Sequence, residues 1–185
     1  MSSIVFDKNV VELVTVAAEY CAFLDKTRNS LDQSEFLDKE KTINVLMRIL
    51  PLLYLKALMV PDIETDPEVM TEEYVSESDY NSVCESLKIV LGEIDDYLEV
   101  CVDDMRYSDT PIRCSISEDL SDIYQALKNF VESFQTGIND TMRESIAVCK
   151  ESFSLYWGQT LTNTLRALHF ARFGTGSGND LFDQD

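Results

Sequence analysis

The sequence predicts an all-α protein, a single-domain antiparallel bundle of about five helices. Apolar residues recur at spacings of three and four along most of the chain, which is the pattern of a helix with one buried side. Only six Gly and four Pro interrupt the 185 residues, so long helices have room to form. The 45% apolar content is enough for a sizeable core. No segment shows a convincing strand pattern, and no internal repeat is present.

The first two helices are predicted over residues 9–28 and from about residue 32 to residue 59. Either Asp32 or Ser34 is suited to be the N-cap of the second helix. Pro51 lies inside that helix, where it removes one backbone N–H and crowds the preceding turn. We therefore expect a kink or a break at Pro51.

Residues 60–81 form the longest predicted connection. They contain eight acidic residues and no Lys or Arg: Asp62, Glu64, Asp66, Glu68, Glu72, Glu73, Glu77 and Asp79. Like charges repel one another and extend such a segment. The alternation of acids imitates a calcium loop, but the central Gly of such a loop is missing and Pro67 takes a position that needs flexibility. A solvated acidic loop is the prediction.

The third helix is predicted over residues 76–106. Its apolar seam has alternating spacings of four and three, through Tyr80, Cys84, Leu87, Leu91, Ile94, Leu98, Cys101 and Met105. The opposite side is acidic, with Asp95, Asp96, Glu99 and Asp103. A solvated face and a metal-binding face both have this composition, and the helical geometry favours solvent.

The fourth helix is predicted to begin at a capping box, Ser115-x-x-Glu118, and to continue to about Phe134. Its apolar residues again recur at spacings of three and four, at Leu120, Ile123, Leu127, Phe130 and Phe134. Matching seams on the third and fourth helices predict that these two helices belong to the same bundle.

The fifth helix is predicted from a second capping-box match, Thr141-x-x-Glu144, to about Arg172. Gly158 lies inside it beside the single Trp and is expected to allow close approach of another helix. Residues 1–173 are the predicted domain. Residues 174–185 are small, polar and acidic, and we expect them to be a disordered tail.

The formal net charge is −19, which disfavours binding to nucleic acid and to anionic membranes. It favours solubility and attraction to a basic partner. Five Cys without a C-x-x-C pair are typical of a reducing compartment. The chain begins without the basic region of a signal peptide, and its most apolar run, residues 49–60, is shorter than a membrane span. A cytoplasmic protein is the expectation.

Several kinds of chemistry are disfavoured by the residues at hand. The glycines of residues 174–178 follow a helix instead of preceding one, so they do not form a phosphate-binding loop. With His169 as the single histidine, zinc sites rich in histidine and di-iron bundle sites cannot be assembled in one chain. No catalytic residue and no bound cofactor are predicted.

One chemistry stays open, namely magnesium held by carboxylates. On the predicted third and fourth helices, acids one turn apart would supply oxygen ligands, and nucleotide phosphates would complete the shell. The candidate ligands are Glu93, Asp96, Glu99, Asp119 and Asp122. All-α nucleotide pyrophosphatases of the MazG type use comparable acid pairs. Acids at this spacing are also common on exposed helix faces.

Four segments resemble a bacterial family known as domain of unknown function 5063. They are VTVAAEYCAFLD (residues 14–25), ILPLLYLKAL (49–58), DIYQALKNFV (122–131) and YWGQTLTNTLRALH (156–169). Together they sample nearly the whole chain in order, which reinforces the prediction of one domain. The resemblance implies a bacterial cytoplasmic protein, but it carries no activity or catalytic residue.

Three functional hypotheses follow. The leading one is a non-enzymatic binding or adaptor module whose acidic residues, concentrated in residues 62–79, attract a protein with a basic patch. The second is a magnesium-dependent nucleotide hydrolase that uses the five carboxylates named above. The third is a structural homo-oligomer.

Overall fold

The computed structural model describes residues 4–32, 38–64, 68–69, 71–99 and 112–174. In this part of the chain the helices are α1 (Lys8–Asp32), α2 (Lys39–Met59), α3 (Glu77–Leu91), α4 (Ile116–Gln135), α5 (Asn139–Ser152) and α6 (Gly158–Phe173). A π-helical turn, Phe153–Trp157, joins α5 to α6 without a break, so these two helices form one rod. The predicted all-α bundle of five helices is confirmed.

Helix α4 lies at the centre of the bundle and contacts α1, α3, α5 and α6. Its hydrophobic face places Leu120, Ile123 and Leu127 in the core with no exposed surface. The hydroxyl of the fully buried Tyr20 on α1 donates to the Leu120 carbonyl of α4 at 2.8 Å. All six helices contribute to one cluster of buried apolar side chains.

The third helix ends much earlier than its apolar seam predicts. It stops at Leu91, because Gly92 adopts a positive φ of 58° that ends the helical path, and a 3₁₀ turn follows at Gly92–Ile94. Strand β1 (Asp96–Glu99) then pairs antiparallel with β2 (Ile112–Ser115), Asp96 opposite Ser115. The prediction of helix through residue 106 and the expectation of no strand are therefore wrong. Cys101, Asp103 and Met105 lie outside the described residues.

Asp95 is the clearest departure from the predicted solvated acidic face. Its side chain is buried, with 4% of the residue exposed, and it caps the N-terminus of α4. Ser115 occupies the N-cap position, but its side chain makes no capping hydrogen bond to the backbone. The expected Ser115-x-x-Glu118 capping box is therefore replaced by a carboxylate from a distant segment.

Helix α1 continues to Asp32, beyond the predicted end, and α2 begins later than predicted. The N-cap of α2 is Asp38, whose carboxylate accepts hydrogen bonds from the backbone of Glu40 and Lys41. Pro51 lies within α2, and the helix runs through it to Met59. By length and composition α2 alone among the described helices is sufficient to cross a membrane, and about a third of its most apolar window is buried inside the bundle.

The last rod also differs at two points from its prediction. The N-cap of α5 is Ile138, and Glu144 is buried instead of serving in a capping box. A Cβ on Gly158 would lie 2.5 Å from the carbonyl oxygen of Phe153, so this glycine accommodates the π turn of its own rod. Of the predicted tail, residues 175–185 lie outside the described residues.

Candidate functional site

A cavity of about 720 Å³ lies along α4, on the side that faces α5, the π turn and α6. Residues 71–73, from the segment before α3, form part of its rim. Its other described lining residues are Tyr97, Cys114, Asp119, Asp122, Gln125, Ala126, Asn129, Phe130, Ser133, Ser145, Val148, Cys149, Ser152, Leu155, Tyr156, Trp157, Gln159, Thr160 and Asn163. The size suits a small molecule or a few side chains of a peptide.

The polar floor of this cavity comes from one face of α4. Asp119, Asp122, Gln125 and Asn129 follow one another at spacings of three and four, so their side chains lie on the same side of the helix. Asp122 accepts a hydrogen bond of 2.7 Å from the Tyr80 hydroxyl of α3. Burial raises the pKa of Tyr80, and its hydrogen bond to Asp122 raises it further.

Asp119 joins three elements at one end of the cavity. Its Oδ2 accepts hydrogen bonds from the hydroxyl of Tyr97 on β1 and from that of Thr164 on α6, the latter at 2.8 Å. Arg166 of α6 lies 5.9 Å from the centre of the Tyr97 ring and donates to the Leu98 carbonyl at 2.9 Å. The sheet thus positions Tyr97, and Tyr97 helps to fix the orientation of the Asp119 carboxylate.

The side chain of Asn129 holds Tyr74 and Val75, which belong to the acidic segment before α3 (residues 71–76 of the described chain), at the rim of the cavity. Its Oδ1 accepts hydrogen bonds from the backbone N–H groups of Tyr74 at 2.8 Å and Val75 at 3.1 Å. Two main-chain bonds to one side chain hold the segment against α4, and Val75 itself is buried. Glu72 and Glu73, which come directly before, are exposed at the edge of the cavity.

The π turn supplies the aromatic wall. One extra residue in a helical turn changes the direction of the following side chains, and such turns are frequent at functional sites. Tyr156 is 69% exposed, whereas Trp157 is buried and its ring lies 4.7 Å from that of Phe153. The indole N–H of Trp157 donates to the Cys149 carbonyl at 3.3 Å.

Cys149 lines the cavity, but its thiol is poorly suited to be a nucleophile. Burial raises its pKa to about 12, so the thiol stays protonated at neutral pH. Buried thiols of this kind pack as small apolar groups.

The charge of the site is one-sided. Four carboxylate residues line it, Glu72, Glu73, Asp119 and Asp122, and none of the described lining residues is Lys, Arg or His. Fields from acids that share a concave surface add together and attract cations. The arrangement can accept hydrogen bonds from a positively charged group, and the exposed ring of Tyr156 offers a face for cation–π contact.

The five carboxylates of the magnesium hypothesis occupy different places. Asp119 and Asp122 line the cavity, Glu93 is exposed in the 3₁₀ turn, and Asp96 is exposed on β1 and paired with Arg113. Glu99 is on β1, and its side chain lies outside the described part of the structure. The predicted helical spacing of Glu93, Asp96 and Glu99 is wrong, because their segment is a turn and a strand. Among the described residues, no group of three or more His, Cys, Asp or Glu is arranged to hold a metal ion.

The sequence did not predict the second wall of the cavity, which is formed by α5, the π turn and α6. The polar face of α4, with Gln125 and Asn129, is visible from its spacing, but Tyr156 and Asn163 lie in the other rod. A signal was available there, since Gln159, Thr160 and Asn163 form a polar strip directly after the Trp157–Gly158 pair. That strip does not reveal which helix it faces.

The chain is similar to a known protein family and to a solved structure. The family described as Domain of unknown function (DUF5063) matches residues 4–174. Among solved structures, the crystal structure of protein BF1032 from Bacteroides fragilis is similar, with 44% sequence identity and a TM-score of 0.79. The similarity covers 92% of this chain and 96% of that one. None of the curated proteins matches.

Proposed function

We propose that this chain, which belongs to the family described as Domain of unknown function (DUF5063), is a non-enzymatic binding module of the cytoplasm. Its cavity would accept a positively charged segment of a partner protein. The observation that carries this proposal is a cavity of about 720 Å³ with four carboxylate residues, and with no basic residue among its described lining.

Hydrogen bonds within the protein support the proposal, because they preorganise two of the carboxylates that line the cavity. Asp119 is oriented by Tyr97 and Thr164, and Asp122 by Tyr80, so the carboxylates are held in place before a ligand arrives. Fixed acceptors lose little entropy on binding, which favours affinity. A Lys or Arg side chain entering the cavity would meet these acceptors and the exposed face of Tyr156.

The acidic segment explains how a partner would be attracted from a distance. Asp62 and Glu64 are exposed on the same connection as the rim residues Glu72 and Glu73. With a net charge of −19 the whole molecule adds to this field. Such charges raise the association rate with a basic partner, and salt should weaken the complex.

The test uses Trp157, the single tryptophan, as a reporter inside the cavity. Its fluorescence is followed while a Lys- and Arg-rich peptide is titrated in. We expect saturable binding that Glu72→Gln combined with Asp122→Asn weakens by about tenfold, equal to about 1.4 kcal/mol. The matched control is Asp62→Asn with Glu64→Gln, which removes two charges from exposed positions outside the cavity lining.

If the two double variants weaken binding equally, the acidity of the whole surface and not the cavity is responsible, and the proposal fails. A peptide that produces no saturable change at low salt would also contradict it.

The magnesium-dependent nucleotide hydrolase is the second candidate, because Asp119 and Asp122 share the lining of one cavity. Thermal melting with Mg²⁺ or Mn²⁺ and a set of nucleotides separates the two hypotheses. Stabilisation that is lost in Asp122→Asn would favour the hydrolase. If no metal–nucleotide pair changes the melting temperature, the hydrolase hypothesis is contradicted.

A further inference from the structure

Helix α2 leaves one long face uncovered among the described residues. Its inner face packs in the core through Leu46, Leu50 and Leu53, which have no exposed surface. On the outer face, Leu52 is 41% exposed and Leu55 is 51% exposed, and Leu58 and Met59 are also exposed. Adjacent exposed apolar side chains of this size mark a surface for association.

The outer face has its own heptad pattern. Its members follow one another at alternating spacings of four and three: Lys41, Val45, Arg48, Leu52, Leu55 and Met59. This is the spacing of a seam that packs against a second helix. The seam is apolar towards the C-terminal end of α2 and basic towards the N-terminal end.

The charge of α2 is opposite to that of the chain. Between Lys39 and Met59 there are four basic residues and one acidic residue, whereas the chain as a whole carries −19. Two copies of so acidic a protein repel each other over most of their surface. The basic residues of α2 reduce this repulsion where the helix is exposed, so a second copy can approach this face.

The polarity of the seam selects an antiparallel arrangement. Around a two-fold axis near Leu52 and Leu55, each Arg48 would lie over the C-terminal end of the other α2. That end carries the negative pole of the helix dipole, and the exposed Asp62 and Glu64 follow it. A parallel pair would instead place Arg48 beside Arg48.

We propose that the outer face of α2 is the interface for a second copy of this chain, packed antiparallel through Leu52, Leu55 and Met59. The interface is isologous, as in most homodimers. It lies on α2, whereas the cavity is lined by residues of α4, α5, the π turn and α6.

The oligomeric state of the full chain tests this proposal by sedimentation equilibrium, from low micromolar to several hundred micromolar. We expect a monomer–dimer equilibrium that Leu55→Asp weakens by more than about tenfold, because a charge would be buried in the seam. The matched control is Ile89→Asp, which changes a residue of α3 that is 65% exposed. It should leave the equilibrium unchanged.

A charge reversal tests the direction of packing. Arg48→Glu should weaken the dimer, and adding Asp62→Lys should restore it if the helices are antiparallel. Failure of the second substitution to restore the dimer would overturn the antiparallel arrangement.

A chain that stays monomeric at every concentration overturns the proposal, and so does a dimer that Leu55→Asp leaves intact. The proposal is also overturned if the chain is monomeric and sediments with anionic lipid vesicles, and if Leu55→Asp abolishes this binding to vesicles. That result would assign the outer face of α2 to a membrane.

Discussion

The carboxylate of Asp95 accepts two hydrogen bonds of 2.8 Å from Ser117, one from its backbone N–H and one from its hydroxyl. The hydroxyl of Ser115 donates to the same carboxylate, and the Asp95 carbonyl accepts the backbone N–H of Ile116. Asp95, a single residue from the segment that follows α3, therefore accepts the backbone N–H groups of the first two residues of α4. A carboxylate at this position also interacts favourably with the helix dipole.

Replacing Asp95 with Ala should lower the free energy of unfolding by about 2 kcal/mol or more, since it removes a cap and leaves buried donors unsatisfied. The matched control is Asp96→Ala, which removes a carboxylate that is half exposed and paired with Arg113. An exposed pair of this kind contributes at most about 1 kcal/mol. Urea unfolding of both variants measures the difference, and equal effects would contradict the role given to Asp95.

Gly158→Ala should destabilise the protein, although Ala is the better helix former by roughly 1 kcal/mol. The added Cβ would clash with the carbonyl oxygen and the ring of Phe153. We expect a net loss of about 1–3 kcal/mol in urea unfolding, as for other overpacked sites. Ser154→Ala, which removes an exposed hydroxyl from the same turn, is the control. A more stable Ala variant would show that the π turn is not constrained by this contact.

Stability should fall as the pH rises above 10. Burial raises the pKa of Tyr20 well above the usual 10.0, and burial with hydrogen bonds to Asp122 and Asp25 raises those of Tyr80 and Tyr124. In the unfolded chain these groups lose their protons near pH 10, whereas in the folded chain they keep them. The unfolded state then binds fewer protons, so the free energy of unfolding decreases with pH.

Absorbance at the tyrosinate band measures this effect, in native protein and in urea. Fewer tyrosines should titrate near pH 10 in the native state than the eight that the sequence contains. Titration of all eight together before unfolding would contradict the prediction.

The cysteines should differ in reactivity. Burial raises the pKa of both Cys21 and Cys149 to about 12, whereas Cys114 on β2 is partly exposed. Because the thiolate is the reactive form, iodoacetamide at pH 8 should modify Cys114 well before Cys21 or Cys149. Mass spectrometry of the alkylated peptides measures the order. Rapid modification of Cys149 in the folded protein would contradict this prediction.

Asn129→Ala should loosen the rim of the cavity without unfolding the bundle. It removes the acceptor for the backbone N–H groups of Tyr74 and Val75. Hydrogen exchange at these two amides should accelerate, while exchange in the core of α4 stays slow. Gln125→Ala, on the same face of α4, should leave both amides protected. Unchanged exchange in Asn129→Ala would show that other contacts hold the segment.

The sequence determined the helices in which apolar residues recur at spacings of three and four within one continuous segment. The seam of α4 at Leu120, Ile123 and Leu127 is buried as its period predicts, and Asp122 lies on the other side of the helix. The same spacing gave a wrong prediction at the end of α3, because Ile94 and Leu98 continue the pattern although the helix ends at Leu91. A period of three and four records which residues share a face only if the backbone remains helical. Gly92 breaks that condition.

The tertiary structure alone decided where those faces meet. Asp95 is buried because Ser117, far along the chain, offers hydrogen bonds that compensate its desolvation. Asp119 and Asp122 line a cavity because the rod of α5 and α6 lies opposite them and Asn129 holds the acidic segment at the rim. Spacing along one helix fixes the direction of its side chains. The helix that packs against it is chosen by the free energy of the whole core, to which residues far apart in sequence contribute.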